Sequence, residues 1–204
     1  MISETAPFIY LASQSPRRSQ LLQQLGVAHE LLLADATEDA ESLEIALKNE
    51  APLAYVKRVT ALKLETAAAR MQRRGLPVAP ILCADTTVAK GRVIYGKPEN
   101  VVDAVRMLTA LSGSTHRVLT AVSVAHGKKR LQAVSVSQVT FAKMTKAQIT
   151  RYVATGEPMG KAGSYAVQGG AAAFIAHISG SYSGIMGLPM FETAKLLRQI
   201  GMHN

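Results

Sequence analysis

The stretch from Phe8 to Arg18 constrains this chain more than any other. Phe8-Ile9-Tyr10-Leu11-Ala12 is an apolar run that reads as a buried strand. Ser15-Pro16 is a helix-opening pair, with serine at the N-cap and proline at the first helical position, where its missing N–H is not needed. A helix therefore begins where the strand ends. Leu21, Leu22 and Leu25 give that helix one apolar face, and Gly26 is placed to stop it in the left-handed conformation. Free amides at such an N-terminus, with Arg17 and Arg18 in the first turn, concentrate positive potential where phosphates bind. The same two arginines would be ordinary as solvated surface charges, so the anion site needs support from elsewhere in the chain.

That support comes along the sequence. His29 to Ala34 reads as a second strand, ended by the acidic stretch Asp35 to Glu41, whose composition suits a solvated loop. Leu53 to Arg74 has a helical pattern, with Val56, Val59 and Ala67 on one face and Lys63 on the same face. A lysine in an apolar stripe either snorkels outward or reaches a buried anion. Ile81-Leu82-Cys83-Ala84 runs as a buried strand into Asp85-Thr86, and a carboxylate at the end of a buried strand is how an α/β protein presents an acid to its ligand crevice. A hairpin is expected around Gly91-Arg92, and Pro98 holds the backbone of Lys97 extended.

Asn100 is a helix N-cap, and the helix carries Val102, Val105, Met107, Leu108 and Leu111 to Ser112-Gly113. Two long strands follow, about 117–125 and 131–142, with a polar face on the second; His116 before them reads as structural. Thr145 caps a short helix closed at Gly156. The glycine-dense segment Gly156 to Gly170 contains a Tyr165/Val167 alternation like a short strand, and its glycines allow backbone to approach a ligand closely, with Gln168 offering both a donor and an acceptor. An apolar strand from Ala171 to Ile178 and a last helix from Met190 to Ile200 complete the chain.

Composition narrows the partner. The 23 Lys plus Arg against 14 Asp plus Glu leave a charge of +9, which suits nucleic acid or a small polyphosphate. With no Trp, four Phe and six Tyr the chain is poor in stacking surfaces, so a small polyanion fits better than nucleic acid. No stretch approaches the ~20 apolar residues of a membrane span. Met1 to Pro7 lacks the basic start and apolar core of a signal peptide, and the one cysteine, Cys83, rules out an internal disulfide; a cytoplasmic protein is expected.

Leu11-Ala12-Ser13 with Ser15-Pro16-Arg17-Arg18, Ala84-Asp85-Thr86, Gly96-Lys97-Pro98, Ser112-Gly113 with His116, Gly156-Glu157-Pro158, Lys161-Ala162-Gly163, Gln168-Gly169 and Gly187-Leu188-Pro189, in this order and spacing, resemble the Maf family of nucleoside triphosphate pyrophosphatases. The resemblance spans nearly the whole chain. It implies an α/β fold of two lobes, built on an elongated mixed β-sheet flanked by helices around a central cleft, as one Maf-like domain over residues 1–204 and as a homodimer. It also implies a divalent metal, magnesium or manganese, and hydrolysis of a nucleoside triphosphate to monophosphate and pyrophosphate.

By the same resemblance Asp85 is the proton acceptor and shares the metal with Glu38, although the family often shows Asp-Glu where this chain has Thr37-Glu38. Ser13, Ser15, Arg17, Arg18, Lys63 and Lys97 are the candidate phosphate ligands, supplying the charge that three phosphates require. Base choice can be argued from hydrogen bonding. Uracil and thymine present an acceptor-donor-acceptor edge, which one glutamine amide plus a hydroxyl can meet. Arg18, Thr86 and Gln168 are the residues placed to select it, and the family branch with such residues acts on dTTP and UTP. The alternatives are a pyrophosphatase for 7-methyl-GTP or damaged purine nucleotides, and a non-enzymatic nucleic-acid-binding regulator of septum formation.

Overall fold

The structure is a computed structural model that describes residues 8–35, 38 and 42–202. The reading of Met1 to Pro7, and the Thr37 position beside Glu38, lie outside the described residues.

The first strand, β1 (Ile9–Leu11), leads into α1 (Pro16–Gln24) and then the parallel strand β2 (His29–Leu31). The long helix α2 (Pro52–Arg73) precedes β3 (Ile81–Lys90), which turns into β4 (Val93–Tyr95) and α3 (Val101–Leu111). The hairpin of β5 (Thr115–His126) and β6 (Lys129–Phe141) follows, then α4 (Lys146–Ala154), β7 (Ile175–Ser179), α5 (Tyr182–Met186) and α6 (Met190–Gln199). Seven strands among the described residues make one mixed sheet in the order β2-β1-β3-β5-β6-β7, with β4 pairing the far end of β3. The β1 contacts are parallel and the rest antiparallel.

The period of two along the central strands distributes the core between the two faces. Ile81 and Cys83 of β3 and Leu119 and Ala121 of β5 face α2, meeting Val56, Val59, Leu64 and Ala67. Leu82 and Ala84, with Val122 and Val124, face the other way onto Leu21 and Leu22 of α1 and Leu196 and Leu197 of α6. A third cluster packs α3, α4 and the glycine-rich segment around Val88, Val118, Phe141 and Tyr165. Burying a side chain of this size contributes about 1.5–3 kcal/mol.

Several local readings need correction. β2 stops at Leu31 rather than Ala34, because its partner β1 is only three residues long and leaves nothing further to pair. Tyr165 and Val167 are not in a strand; Tyr165, Ala166 and Val167 are all buried after a short 3-10 turn at Ala162–Ser164, so the apparent alternation reflected burial and not a ladder. The expected strand from Ala171 begins as a 3-10 turn, Gly170–Phe174, and only Ile175–Ser179 pairs, beside a register shift at Thr140/Phe141. The helix α5 was not foreseen, being five residues long and capped by Ser181, whose side chain accepts from the Gly184 amide. Ser15 does occupy the N-cap of α1, but its side chain makes no cap bond; its own amide donates to Ser13 Oγ at 3.2 Å.

Candidate active site

The sheet has a gap on one edge of β3. β1 pairs only with Ile81 and Leu82 of β3, and β4 pairs only with Val88 to Lys90, so the edge of β3 between them faces no strand. A cleft of about 670 Å³ opens there, a volume suited to a small-molecule ligand. Ser13, Ser15, Arg17, Arg18, Lys63, Asp85, Thr86, Lys97 and Gln168 all line it. It was the spacing of strands, invisible in any one motif, that gathered them.

Alternation along β3 then sends neighbours in opposite directions. Asp85 shares the face of Cys83 and looks toward α2, where Lys63 Nζ lies 2.6 Å from Asp85 Oδ1. The Lys63 ambiguity is resolved: the ammonium turns inward, with its side chain only 20% exposed. The same Nζ sits 2.7 Å from Glu44 Oε1, and Glu44 Oε2 lies 3.0 Å from Lys97 Nζ. Thr87 Oγ1 donates to Asp85 Oδ2 at 3.4 Å. Burial alone would lower the Lys63 pKa, but the carboxylates of Asp85 and Glu44 more than offset this, so it is raised. For Glu44 burial acts upward, and Lys63 and Lys97 overcome it to give a net lowering. Cys83, one position before the Ala84-Asp85 pair, is fully buried with its thiol pushed up to about 12, so it offers no nucleophile.

Thr86 faces the opposite side, toward α1. Its Oγ1 accepts from Thr120 Oγ1 at 3.0 Å and from Arg18 Nη2 at 3.5 Å. Arg18 also donates from Nε to the Gly187 carbonyl at 2.8 Å and from Nη1 to Ser13 Oγ at 2.9 Å. Desolvation lowers the Arg18 pKa from the ordinary arginine value, against the opposing pull of Asp85. Arg18 therefore ties the start of α1 to the α5–α6 turn and to Thr86, whereas Arg17 makes one long bond, at 3.3 Å, to the Met186 carbonyl. Of the two arginines, Arg17 is the freer to meet a ligand.

The glycine-rich segment forms the facing wall. Gly163, at φ +70°, donates its amide to the Gly96 carbonyl at 3.0 Å, joining this wall to the strap that carries Lys97. A Cβ at Gly163 would stand 2.8–2.9 Å from the Val88 side chain, so no larger residue fits. Glu157 clamps the next turn: Tyr152 Oη donates to its Oε1 at 2.7 Å and the Gly170 amide to its Oε2 at 2.9 Å. The turn so held carries Gln168, exposed at the cleft. Behind it the buried His116 Nε2 meets Tyr165 Oη at 2.8 Å, in keeping with a structural histidine.

Glu38 is placed apart from these groups' ion pairs. Arg70 Nε and Nη2 bind its two oxygens at 2.7 and 2.6 Å, and Arg73 Nη2 adds a contact at 2.7 Å. The Arg70 hydrogen bond, more than anything else, draws its carboxyl to about 2. Arg70 is itself buried and donates to the Leu32 carbonyl at 2.8 Å. Sequence reasoning missed Glu44, Arg70 and the clamping role of Glu157. Glu157 stood inside a motif, and its partner Tyr152 five residues earlier was the available signal; Glu44 lies in an aperiodic stretch that carried none.

The chain matches the family profile described as "Maf-like protein" over residues 8–200. It is 68% identical over 194 residues to a dTTP/UTP pyrophosphatase of Albidiferax ferrireducens, covering 95% of this chain and 97% of that one. It is 64% identical over 197 residues to a dTTP/UTP pyrophosphatase of a Polaromonas species, covering 97% and 98%. The protein of the same description from Cupriavidus metallidurans is 60% identical over 195 residues, covering 96% and 98%.

Proposed function

The chain belongs to the Maf family, and from that premise we propose that it hydrolyses dTTP and UTP to the monophosphate and pyrophosphate in this cleft, between two lobes of one domain. The observation that carries the reading is Asp85, a buried carboxylate set among Lys63, Lys97 and Arg17 at the gap in the sheet. An acid placed among phosphate-binding cations weakens simple anion capture and serves hydrolysis, which argues against a nucleic-acid-binding regulator.

In this reading Lys63, Lys97, Arg17 and the opening of α1, with Ser13 and Ser15, hold the phosphates in line. Asp85 orients a water against the α-phosphorus. As the new P–O bond forms, the water's proton passes to the Asp85 carboxylate, and the bond to the bridging oxygen breaks with its electron pair leaving on pyrophosphate. The cations stabilise that departing charge. A divalent ion would add neutralisation of the phosphates. The donor set suits one: carboxylate and phosphate oxygens are the hard ligands that magnesium and manganese take. Among the described residues no three His, Cys, Asp or Glu side chains gather around a common point, so substrate phosphates and water would supply its other ligands. Asp85, which lines the cleft with these phosphate-holding groups, is a residue that would hold the ion.

Gln168, on the clamped turn, would read the base, with Arg18 and Thr86 shaping the pocket around it. The amide accepts from the ring N–H and donates to a carbonyl of uracil or thymine. A cytoplasmic location and a homodimer belong to the same reading. Among the described residues no helix is long and apolar enough to cross a membrane.

The test is pyrophosphate release measured across dTTP, UTP, CTP, GTP and 7-methyl-GTP, with magnesium, for the native enzyme and Gln168→Glu. Native enzyme should favour dTTP and UTP. The substitution should cut that preference thirty- to a thousandfold, about 2–4 kcal/mol, because a carbonyl oxygen then meets a carboxylate in a desolvated site. Release from purine nucleotides alone would overturn the assignment. A preference for UTP over 7-methyl-GTP that survives the substitution would remove Gln168 from base reading.

A further inference from the structure

We propose that Glu44, and not Glu38, is the carboxylate that joins Asp85 in holding the divalent metal in this chain. The inference rests on the pyrophosphatase reading and extends it to a residue outside the motifs.

The placement of Glu44 is built from both sides. The 3-10 turn Ser42–Glu44 is tied to α2 by Tyr55 Oη, which donates to the Glu44 carbonyl at 2.8 Å. Arg58, one turn further along α2, donates to the Ile45 carbonyl at 2.9 Å and grips Glu50 at 2.7 Å through both Nε and Nη2. The Leu47 amide closes this short loop by donating to Glu50 Oε2 at 3.1 Å. The anchored turn sets the Glu44 carboxylate in the cleft. There, one of its oxygens and one of Asp85's converge on a single cationic centre, Lys63 Nζ, at 2.7 and 2.6 Å. Lys63 thus marks a point where a cation is held by one oxygen from each acid.

Charge matching points the same way. Lys63 and Lys97 are the lysines placed to hold phosphates, yet Glu44 is paired to both and Asp85 to the first. A triphosphate that entered with no further cation would meet two lysines already matched by two carboxylates. A divalent ion shared by Glu44 and Asp85 takes up those two negative charges and leaves both ammonium groups to the phosphates. Magnesium sites of this kind use one or two carboxylates and let substrate phosphates supply other ligands.

Glu38 is spent elsewhere. Both of its oxygens are taken by the Arg70 guanidinium, one is shared with Arg73, and its side chain is only 9% exposed. Turning it toward a metal would strand the buried Arg70, whose remaining bond is to the Leu32 carbonyl. Glu38 ties the segment after β2 to α2.

The experiment is a manganese titration followed by the electron paramagnetic resonance of the free ion, with α,β-methylene-UTP present so that no turnover occurs. Native protein, Glu44→Gln and Glu38→Gln are compared, each with its thermal midpoint. Glu44→Gln should weaken manganese binding at least tenfold and lower the midpoint less than Glu38→Gln does. Glu38→Gln should lower the midpoint and keep manganese affinity within about threefold. Native-like manganese affinity in Glu44→Gln overturns the proposal, as does tighter analogue binding without a change in manganese, which would make Glu44 a mere placeholder on the lysines. If Glu38→Gln unfolds, the Glu44→Gln arm decides alone. Failure of the underlying reading looks different: native protein would bind manganese and analogue yet release no pyrophosphate from UTP.

Discussion

The two walls of the cleft are held by different forces. On the wall made by α1, α2 and β3, side chains are positioned by charge: Lys63 between Asp85 and Glu44, Lys97 on Glu44, Glu38 on Arg70. On the glycine-rich wall the backbone itself is positioned, by Gly163 against Val88, by Gly169 so close to Glu157 that a Cβ would lie 2.2 Å from its oxygen, and by neutral bonds such as His116 to Tyr165. A charged wall can exchange partners, since a phosphate or a metal can replace a carboxylate or an ammonium at similar distance. A packed wall cannot, which suits the recognition of a flat base edge. Loss of Asp85 on the first wall and loss of Gln168 on the second should therefore act separately.

The sharpest way to break that separation is Asp85→Asn. The change is nearly isosteric and removes the carboxylate proposed to accept the proton, and with it one partner of Lys63. Turnover should fall about a hundredfold or more, while nucleotide binding persists or tightens as repulsion of the phosphates drops. Steady-state pyrophosphate release and binding of α,β-methylene-UTP measure the two halves. Near-native turnover would take Asp85 out of the mechanism and with it the account of the charged wall.

Gly163→Ala probes the other wall and should show the reverse pattern. The left-handed backbone and the contact with Val88 both oppose a Cβ, a cost of about 2–4 kcal/mol. The melting temperature should drop by roughly 5–15 °C. Because the Gly163 amide also holds the Gly96 carbonyl, some loosening of the Lys97 strap should follow as a higher KM. A variant with native stability would show that this wall is less closely packed than the structure indicates.

The smallest effect lies behind the packed wall. Burial, and then Lys90, lowers the His116 pKa from 6.5 to about 4, and among the described residues its Nδ1 has no hydrogen-bond partner. The folded value is depressed, so the unfolded chain binds more protons between the two. The contribution to stability is full above about 6.5 and is lost as pH falls toward about 4, with a slope of at most about 1.4 kcal/mol per pH unit. Glu38, held near 2, begins to cost stability only below the ordinary carboxylate value of 4.5. Melting curves between pH 6.5 and 4.5 therefore isolate the histidine, and His116→Gln should flatten them. An unchanged slope in that variant would place the proton elsewhere.

The reading from residues to local structure succeeded where the signal was local. Pro16 after Ser15 marked the start of α1, and Asn100 and Thr145 were placed as caps that do accept from the Asp103 and Gln148 amides. Lys63 stood out because a helical face is defined by residues within a turn or two of one another. The glycine-rich segment misled, since three consecutive buried residues, Tyr165 to Val167, can mimic the edge of an alternating strand.

By itself, then, the sequence determined the strand that runs into a helix at Ser15, the acid at the end of a buried strand, a lysine on the apolar face of a helix and the family to which these belong, because each is written in neighbouring residues. Only the tertiary structure decided that β1 and β4 leave β3 open at Asp85, that Glu44 meets Lys63 while Glu38 is taken by Arg70, and that Glu157 fixes the turn of Gln168. Hydrogen bonds and ion pairs act over about 3 Å between groups far apart in the chain. No periodicity encodes which distant partner will arrive, so the packing of α2 on β3 and of the glycine-rich turn on α4 had to settle it.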